Sequence, residues 1–266
     1  MEQEFEIEGY RIFTKVEGNG FPLLLIHSYW GGQCLFDHLA SELSAKMKVI
    51  RIDLPGHGNS NTPPAEFTFD NFAVVLNKLL FLLNIREKIS VVGHSMGGYV
   101  ALAFAAKFPE RISSLVLMHS HAKEADAKSI KLREREAHLL LKGKKDLLMQ
   151  VMIPSNFAPK NAGKMPTALA LLNQTSNQVT LEGALISIYA INHRCNSLDM
   201  LQIARYPILI IIGKYDKVYR PDEQLDEASQ IPNAEVLMLN HSGHLGFIEE
   251  EELVLKKLQD FFKIYY

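Results

Sequence analysis

The stretch Ile89-Ser-Val-Val-Gly-His-Ser-Met-Gly-Gly98 decides how the rest of the chain is read. Its first half is a short continuous apolar run, the pattern of a strand buried on both faces. The segment that follows, Tyr99–Phe108, is apolar almost all round, as a helix packed in the middle of a protein must be, and Pro109 marks its end. Between the two stands Gly-x-Ser-x-Gly, made by Gly93, Ser95 and Gly97. The bare pattern also fits an ordinary Gly/Ser turn; the flanking strand and helix make it specific. A serine on a sharp strand-to-helix turn sits in strained backbone, and glycines two residues to either side allow the close approach that turn needs. Ser95 then projects from the carboxyl end of a strand, where open α/β sheets bind ligands. The helix N-terminus behind it favours developing negative charge.

Working outward, similar apolar runs recur at Phe21–His27, Lys48–Asp53, Ser114–His119, Pro207–Gly213 and Glu235–Leu239. Helical patterns lie between them: Phe69–Asn84 with Asp70 as a candidate N-cap, Asp222–Gln230 with Asp222 as its cap, and Glu250–Phe262 with an acidic first turn. Phe5–Val16 alternates apolar and polar around Glu8-Gly9 and reads as a hairpin at a sheet edge. Alternating buried strands and helices predict an α/β fold, a mostly parallel twisted sheet with helices on both faces. The alternation stops from His121 to Arg205. That segment shows helical patterns at Lys128–Leu141, Thr167–Asn173 and Thr180–Asn192, loop signals around Pro154–Pro166, and no convincing buried strand. The expected organisation is one core, residues 1–120 and 206–266, interrupted by a helical insertion at 121–205.

Composition narrows the function classes. The chain has 266 residues, 47% hydrophobic and 22% charged, with a formal net charge of −2. It can bury a core without disulfide or metal staples, and it carries too much apolar surface for disorder. Near-neutral charge lacks the electrostatic footprint of a nucleic-acid binder. No run approaches the ~18 apolar residues of a membrane span. Met1-Glu-Gln-Glu-Phe-Glu has no signal-peptide pattern, and Cys34 and Cys195 make no disulfide framework, so a cytoplasmic setting is expected. There is no Walker loop, and Gly93-His-Ser lacks the second glycine of a dinucleotide fingerprint.

A serine hydroxyl is a poor nucleophile until a base takes its proton. His244 is the candidate base, in Asn240-His-Ser-Gly-His-Leu-Gly246 between the last strand and the last helix; His241 competes for the role. A histidine base needs an acceptor that fixes its tautomer and stabilises its cation. Asp216, in Gly213-Lys-Tyr-Asp at a strand's carboxyl end, fits that part, although a turn or capping aspartate would look the same. The order Ser95, Asp216, His244 is the one that a serine on a strand-to-helix turn of this architecture requires.

These features resemble the α/β-hydrolase-fold family, in its group with a small helical cap that contains esterases, enol-lactone hydrolases and carbon–carbon bond hydrolases. Gly93-His-Ser-Met-Gly-Gly98 resembles the nucleophile elbow, Asp53-Leu-Pro-Gly-His-Gly-Asn-Ser60 the glycine-rich loop, Gly213-Lys-Tyr-Asp216 the acid loop and Ser242-Gly-His244 the histidine loop. The resemblance aligns His244, rather than His241, with the base. It implies that residues 121–205 are a cap over the site, and that no metal or organic cofactor is needed. It also implies an oxyanion hole from the backbone amides of Tyr29 and Met96. One departure stands out: the family's His-Gly is His27-Ser28 here. If position 28 needs positive φ, serine is strained there; alternatively its hydroxyl faces the pocket.

Other residues carry weaker signals. His27, His57 and His94 read as structural. His119 and His121, with alternating spacing at a strand end, read as pocket-lining or hinge residues; a zinc pair would need a third ligand that has no obvious position. Trp30 fits pocket wall and core equally well. The charged run from Lys128 to Lys145 reads as a solvated helix face, and Arg194 is a candidate for a substrate carboxylate or for an ion pair with Asp199. The expected function is a serine hydrolase for a small carboxylic ester or related acyl compound. A carbon–carbon bond or enol-lactone hydrolase with the same triad, and a non-catalytic small-ligand receptor, are the alternatives. The expected partner is a small acyl molecule, with neither nucleic acid nor membrane.

Overall fold

The computed structural model describes residues 2–63 and 66–265. An eight-stranded sheet runs in the order β1 (Glu2–Ile7), β2 (Tyr10–Glu17), β4 (Met47–Ile52), β3 (Phe21–Ile26), β5 (Ile89–His94), β6 (Ile112–Met118), β7 (Ile208–Gly213) and β8 (Ala234–Leu239). β1 and β2 form the antiparallel hairpin at one edge, β2 joins β4 antiparallel, and every other pairing is parallel. The chain therefore reverses direction across the sheet between β4 and β5, with β3 in between.

Burial on both faces follows from the period-two geometry of a strand. Leu24 and Ile26 point into one apolar layer and Leu23 and Leu25 into the other. Helices α2 (Phe69–Leu82) and α3 (Met96–Lys107) cover the first face. Helices α1 (Asp37–Leu43) and α11 (Glu251–Phe262) cover the second. α9 (Pro221–Ser229) and the short α10 (Gly246–Glu249) complete the core elements. β8 departs from the continuous-burial reading: it is the far edge strand, and Glu235 and Val236 are exposed.

Helix ends also differ from the sequence reading. The N-cap of α2 is Thr68, whose N–H donates to the Asn71 carboxamide at 2.9 Å; Asp70 lies inside the first turn. In α9 the cap position is Arg220, and Pro221 takes the first helical place, where its missing N–H costs nothing. Asp222 is therefore a first-turn residue, favourable to the helix dipole without being the cap.

Between β6 and β7 the described chain is helical: α4 (Ala127–Leu141), α5 (Lys145–Ser155), α6 (Pro166–Gln178), α7 (Leu181–Asn192) and α8 (Leu198–Gln202). α5 occupies a stretch that Pro154 makes look loop-like. Pro154 falls in its last turn, where it removes one i→i−4 hydrogen bond, and the helix ends one residue later at Ser155. Among the described residues no helix is long and apolar enough to cross a membrane.

Candidate active site

The elbow after β5 has the geometry its glycines suggest. Ser95 is held at φ 52°, ψ −116°, backbone that an L-residue adopts only when its surroundings impose it. Those surroundings are visible. The Ser95 N–H donates to the Met118 carbonyl (2.9 Å), and the Ser95 carbonyl accepts from Ser120 Oγ (2.9 Å) and from the Gly98 N–H (2.9 Å). The turn is so tight that a Cβ at Gly97 would lie 2.2 Å from the Ile26 carbonyl oxygen, and one at Gly93 2.3 Å from the Gly97 oxygen.

Asp216 and His244 meet as the sequence reading expects. His244 Nδ1 donates to Asp216 Oδ2 at 2.8 Å, and both residues are buried. The other carboxylate oxygen, Oδ1, accepts from the Val218 N–H (2.8 Å) and the Tyr219 N–H (3.0 Å). Burial alone would raise the Asp216 carboxyl. The His244 and His119 rings outweigh it and hold the group well below the usual carboxylate range. Because Nδ1 donates, neutral His244 has Nε2 as its acceptor, the form a general base needs. His241, the competing histidine, is exposed, and among the described residues it contacts the site through its backbone, with its N–H on Glu250 and its carbonyl accepting from Asn161.

The loops are tied together. The Tyr215 N–H donates to the Ser242 carbonyl (2.9 Å), joining acid loop to histidine loop. His94, the residue before Ser95, donates from Nε2 to the His244 carbonyl (2.9 Å), which brings the elbow against the histidine loop. The helical insertion reaches the same loop: the His244 N–H donates to the carbonyl of Asn156 (2.7 Å). Glu249 accepts from the Gly243 N–H (2.7 Å), the Ala158 N–H (2.7 Å) and Asn161 Nδ2 (2.8 Å), bridging insertion and core.

Ser28 settles into ordinary backbone. It is absent from the residues with positive φ, and its carbonyl accepts from the Gly31 N–H at 3.0 Å in a turn that carries Tyr29 and Trp30. The serine therefore replaces glycine without strain. The histidines read as structural brace this turn. His27 donates from Nδ1 to the Ser28 carbonyl (2.8 Å) and accepts the Leu54 N–H on Nε2 (2.9 Å). His57 donates from Nε2 to the Tyr29 carbonyl. Burial holds both rings neutral, pulling His27 down to about 4 and His57 to about 3. Met96, as the first residue of α3, has an N–H with no acceptor inside the helix.

The remaining sequence-derived residues separate. Trp30 is half-buried, packs against both apolar layers, and receives Thr175 Oγ1 of α6 on its carbonyl (3.3 Å). His119 and His121 do not act as a pair. His119 is fully buried beneath Asp216, with Nδ1 3.5 Å from Oδ2, so it is not a pocket-lining residue. His121 joins a different cluster: Tyr99 Oη lies 3.1 Å from its Nε2 and 2.7 Å from Tyr219 Oη. Arg194 is internal to this cluster. It donates to the carbonyls of Lys123 (3.0 Å) and Ile191 (2.7 Å) and approaches His121 Nε2 at 3.4 Å; among the described residues it has no ion pair with Asp199.

Three features escaped the sequence reading. Tyr219 stands with its ring 5.5 Å from that of His244. Arg133 leaves the solvated face of its charged run, pairs with Glu136 at 2.7 Å and lies 5.5 Å over the Tyr29 ring. Its i,i+3 partner is the only sequence hint. The third is the cluster of His119, Asp216 and His244, whose ligating atoms lie within 4.8 Å of one another, close enough to hold a metal ion. Asp216 Oδ2 and His244 Nδ1, two of those atoms, are already joined by the hydrogen bond described above.

Comparison with known proteins places this geometry. Residues 22–251 match the sequence profile of the alpha/beta hydrolase fold, and the chain belongs to that family. Lipase 3 of Moraxella sp. strain TA144 is 30% identical over 237 residues, which span 86% of this chain and 73% of the lipase. A thermophilic esterase from Thermogutta terrifontis, solved with malate bound, superposes with a TM-score of 0.94 at 26% identity over the whole of both chains. The enol-lactonase of Burkholderia xenovorans LB400 shares the fold, with a TM-score of 0.90 at 22% identity, covering 98% of this chain and 99% of that one. Fold and relatives together define a hydrolase.

Proposed function

We propose that the protein is a serine hydrolase that cleaves a small carboxylic ester or related acyl compound through an acyl-enzyme. The observation that carries this reading is the buried 2.8 Å bond from His244 Nδ1 to Asp216 Oδ2, tied through His94 to a serine held at φ 52°. Ser95 Oγ attacks the carbonyl carbon and His244 Nε2 takes its proton. The amides of Tyr29 and Met96 stabilise the oxyanion, and each such donor is worth roughly 3–4 kcal/mol in a transition state. His244 returns the proton to the leaving alkoxide, leaving an acyl group on Ser95. Water, deprotonated by the same nitrogen, then attacks the acyl carbon; the bond to Ser95 Oγ breaks, His244 returns the proton to that oxygen, and the acid leaves. Asp216 remains ionised throughout, orienting His244 and offsetting its transient charge.

Residues 121–205 act as a cap over this site, in contact with it through the Asn156 carbonyl on His244 and through Ala158 and Asn161, which donate to Glu249. The cap excludes water from the reacting carbonyl and sets acyl size. A chromogenic acyl-ester series, run beside lactones and vinylogous diketones, tests the reading. Turnover of short esters that vanishes in Ser95→Ala supports it. Undiminished ester hydrolysis by Ser95→Ala overturns it. Turnover of diketones or enol lactones alone reassigns the bond cleaved, and tight binding with no turnover of any substrate makes the protein a receptor.

A further inference from the structure

His119 is fully buried, and the mechanism above gives it no part. Its surroundings determine its protonation. The Gly246 N–H donates to His119 Nε2 at 3.0 Å, so that nitrogen must be the acceptor. A neutral imidazole then carries its hydrogen on Nδ1. Among the described residues that N–H finds no full hydrogen bond; the acceptor it faces is Asp216 Oδ2, 3.5 Å away and already engaged by His244. The ring's position is imposed from several sides. His119 holds φ 49°, left-handed backbone that a bulky residue rarely adopts, with its own N–H on the Ile211 carbonyl at 2.8 Å. Gly246 must lack a side chain, since a Cβ there would lie 2.6 Å from His119 Nε2.

We propose that His119 is a positioning residue for the triad: its Nδ1–H forms a second proton donor on Asp216 Oδ2, orienting the carboxylate and sharing its charge with His244. This rests on the Ser95–His244–Asp216 reading and deepens it. Burial keeps His119 neutral, so it acts as a dipole and adds no charge. A carboxylate oxygen that serves two donors is a weaker acceptor for each. Without the His119 N–H, Asp216 holds the His244 cation more strongly and its oxygen is less well aimed. The titratable groups that face His244 are Asp216, His94, His119 and Tyr219, and Glu249 faces His119.

The test uses two variants and one measurement on the unaltered protein. His119→Phe keeps a flat ring and removes the N–H. His119→Asn restores an N–H near the Nδ1 position. In His119→Phe the acid limb of kcat/KM moves up by about 0.5 pH unit and kcat falls about 3- to 10-fold, with KM little changed. His119→Asn returns the acid limb toward the parent position. A common limb position in all three proteins overturns the proposal. Nitrogen-15 NMR of the unaltered protein, labelled at histidine, gives a result that needs no variant to fold: His119 appears as the Nδ1–H tautomer, and an Nε2–H tautomer overturns the proposal. Ser95→Ala and Asp216→Asn run alongside. If either retains full activity, the triad reading has failed; if both lose activity while His119→Phe matches the parent, this inference alone has failed.

Discussion

Replacing Asp216 by asparagine should do far more than remove a charge. The two oxygens of Asp216 are not equivalent. Oδ1 accepts two backbone N–H groups, from Val218 and Tyr219, so in the variant the amide oxygen must stay on that side. The amide NH2 then occupies the place of Oδ2. There it meets two ring nitrogens that both carry hydrogen: His244 Nδ1 at 2.8 Å, and His119 Nδ1 at 3.5 Å, whose tautomer the Gly246 N–H dictates. His119 cannot change tautomer without orphaning Gly246, so His244 must change. Its hydrogen moves to Nε2, and the nitrogen that should take the Ser95 proton becomes a donor. A wrong-tautomer histidine lowers turnover about 10³- to 10⁴-fold, roughly 4–5 kcal/mol of transition-state stabilisation. Steady-state hydrolysis of a short p-nitrophenyl ester measures the loss, with circular dichroism confirming that the variant is folded. A folded Asp216→Asn protein within about tenfold of the parent kcat would refute the reasoning.

Three further outcomes follow from the geometry. Gly97→Ala places a methyl 2.2 Å from the Ile26 carbonyl oxygen, backbone that cannot yield cheaply, and should cost about 3 kcal/mol or more in urea unfolding. The control Gly163→Ala, with nothing within 4 Å of its Cβ, should change stability by under about 0.5 kcal/mol. Glu249→Ala removes the acceptor of three donors that join insertion to histidine loop; stability should drop by about 2 kcal/mol, read as a lower urea midpoint, with kcat falling alongside. His27 binds a proton near 6.5 when unfolded and only near about 4 when folded, because burial opposes its charge. Its contribution to stability is full above the unfolded value and is lost as pH falls toward the folded one, at most roughly 3 kcal/mol. Urea titrations from about pH 7 to about pH 5 should show that slope, to which His57 and the other buried histidines add in the same direction, and His27→Asn should make it shallower without abolishing it.

The sheet was legible because its central strands are buried on both faces, and continuous apolar runs such as Leu23–Ile26 record that directly. The Ser95 elbow and the Asp216–His244 pair were legible because their loops follow strand ends and carry residue types with few other uses. His119 was not. Its spacing from His121 suggests two side chains on one face of a strand, but the left-handed backbone at His119 breaks the alternation. One ring goes under Asp216 and the other to Tyr99 and Arg194. Sequence periodicity carries no sign of a single dihedral. α5 was hidden for a local reason too: Pro154 reads as a loop signal, yet it stands one residue before the helix end, so nine residues of helix precede it. Ser28 raised a doubt that only its backbone angle could resolve.

The central claim is that Ser95 is the nucleophile made reactive by His244 and Asp216. Treatment with a fluorophosphonate, followed by peptide mass spectrometry, tests it most directly. The account predicts one adduct per chain, on the peptide that contains Ser95, absent in Ser95→Ala and strongly slowed in Asp216→Asn. An adduct on another residue, or a chain that hydrolyses esters while Ser95 remains unlabelled, would contradict it.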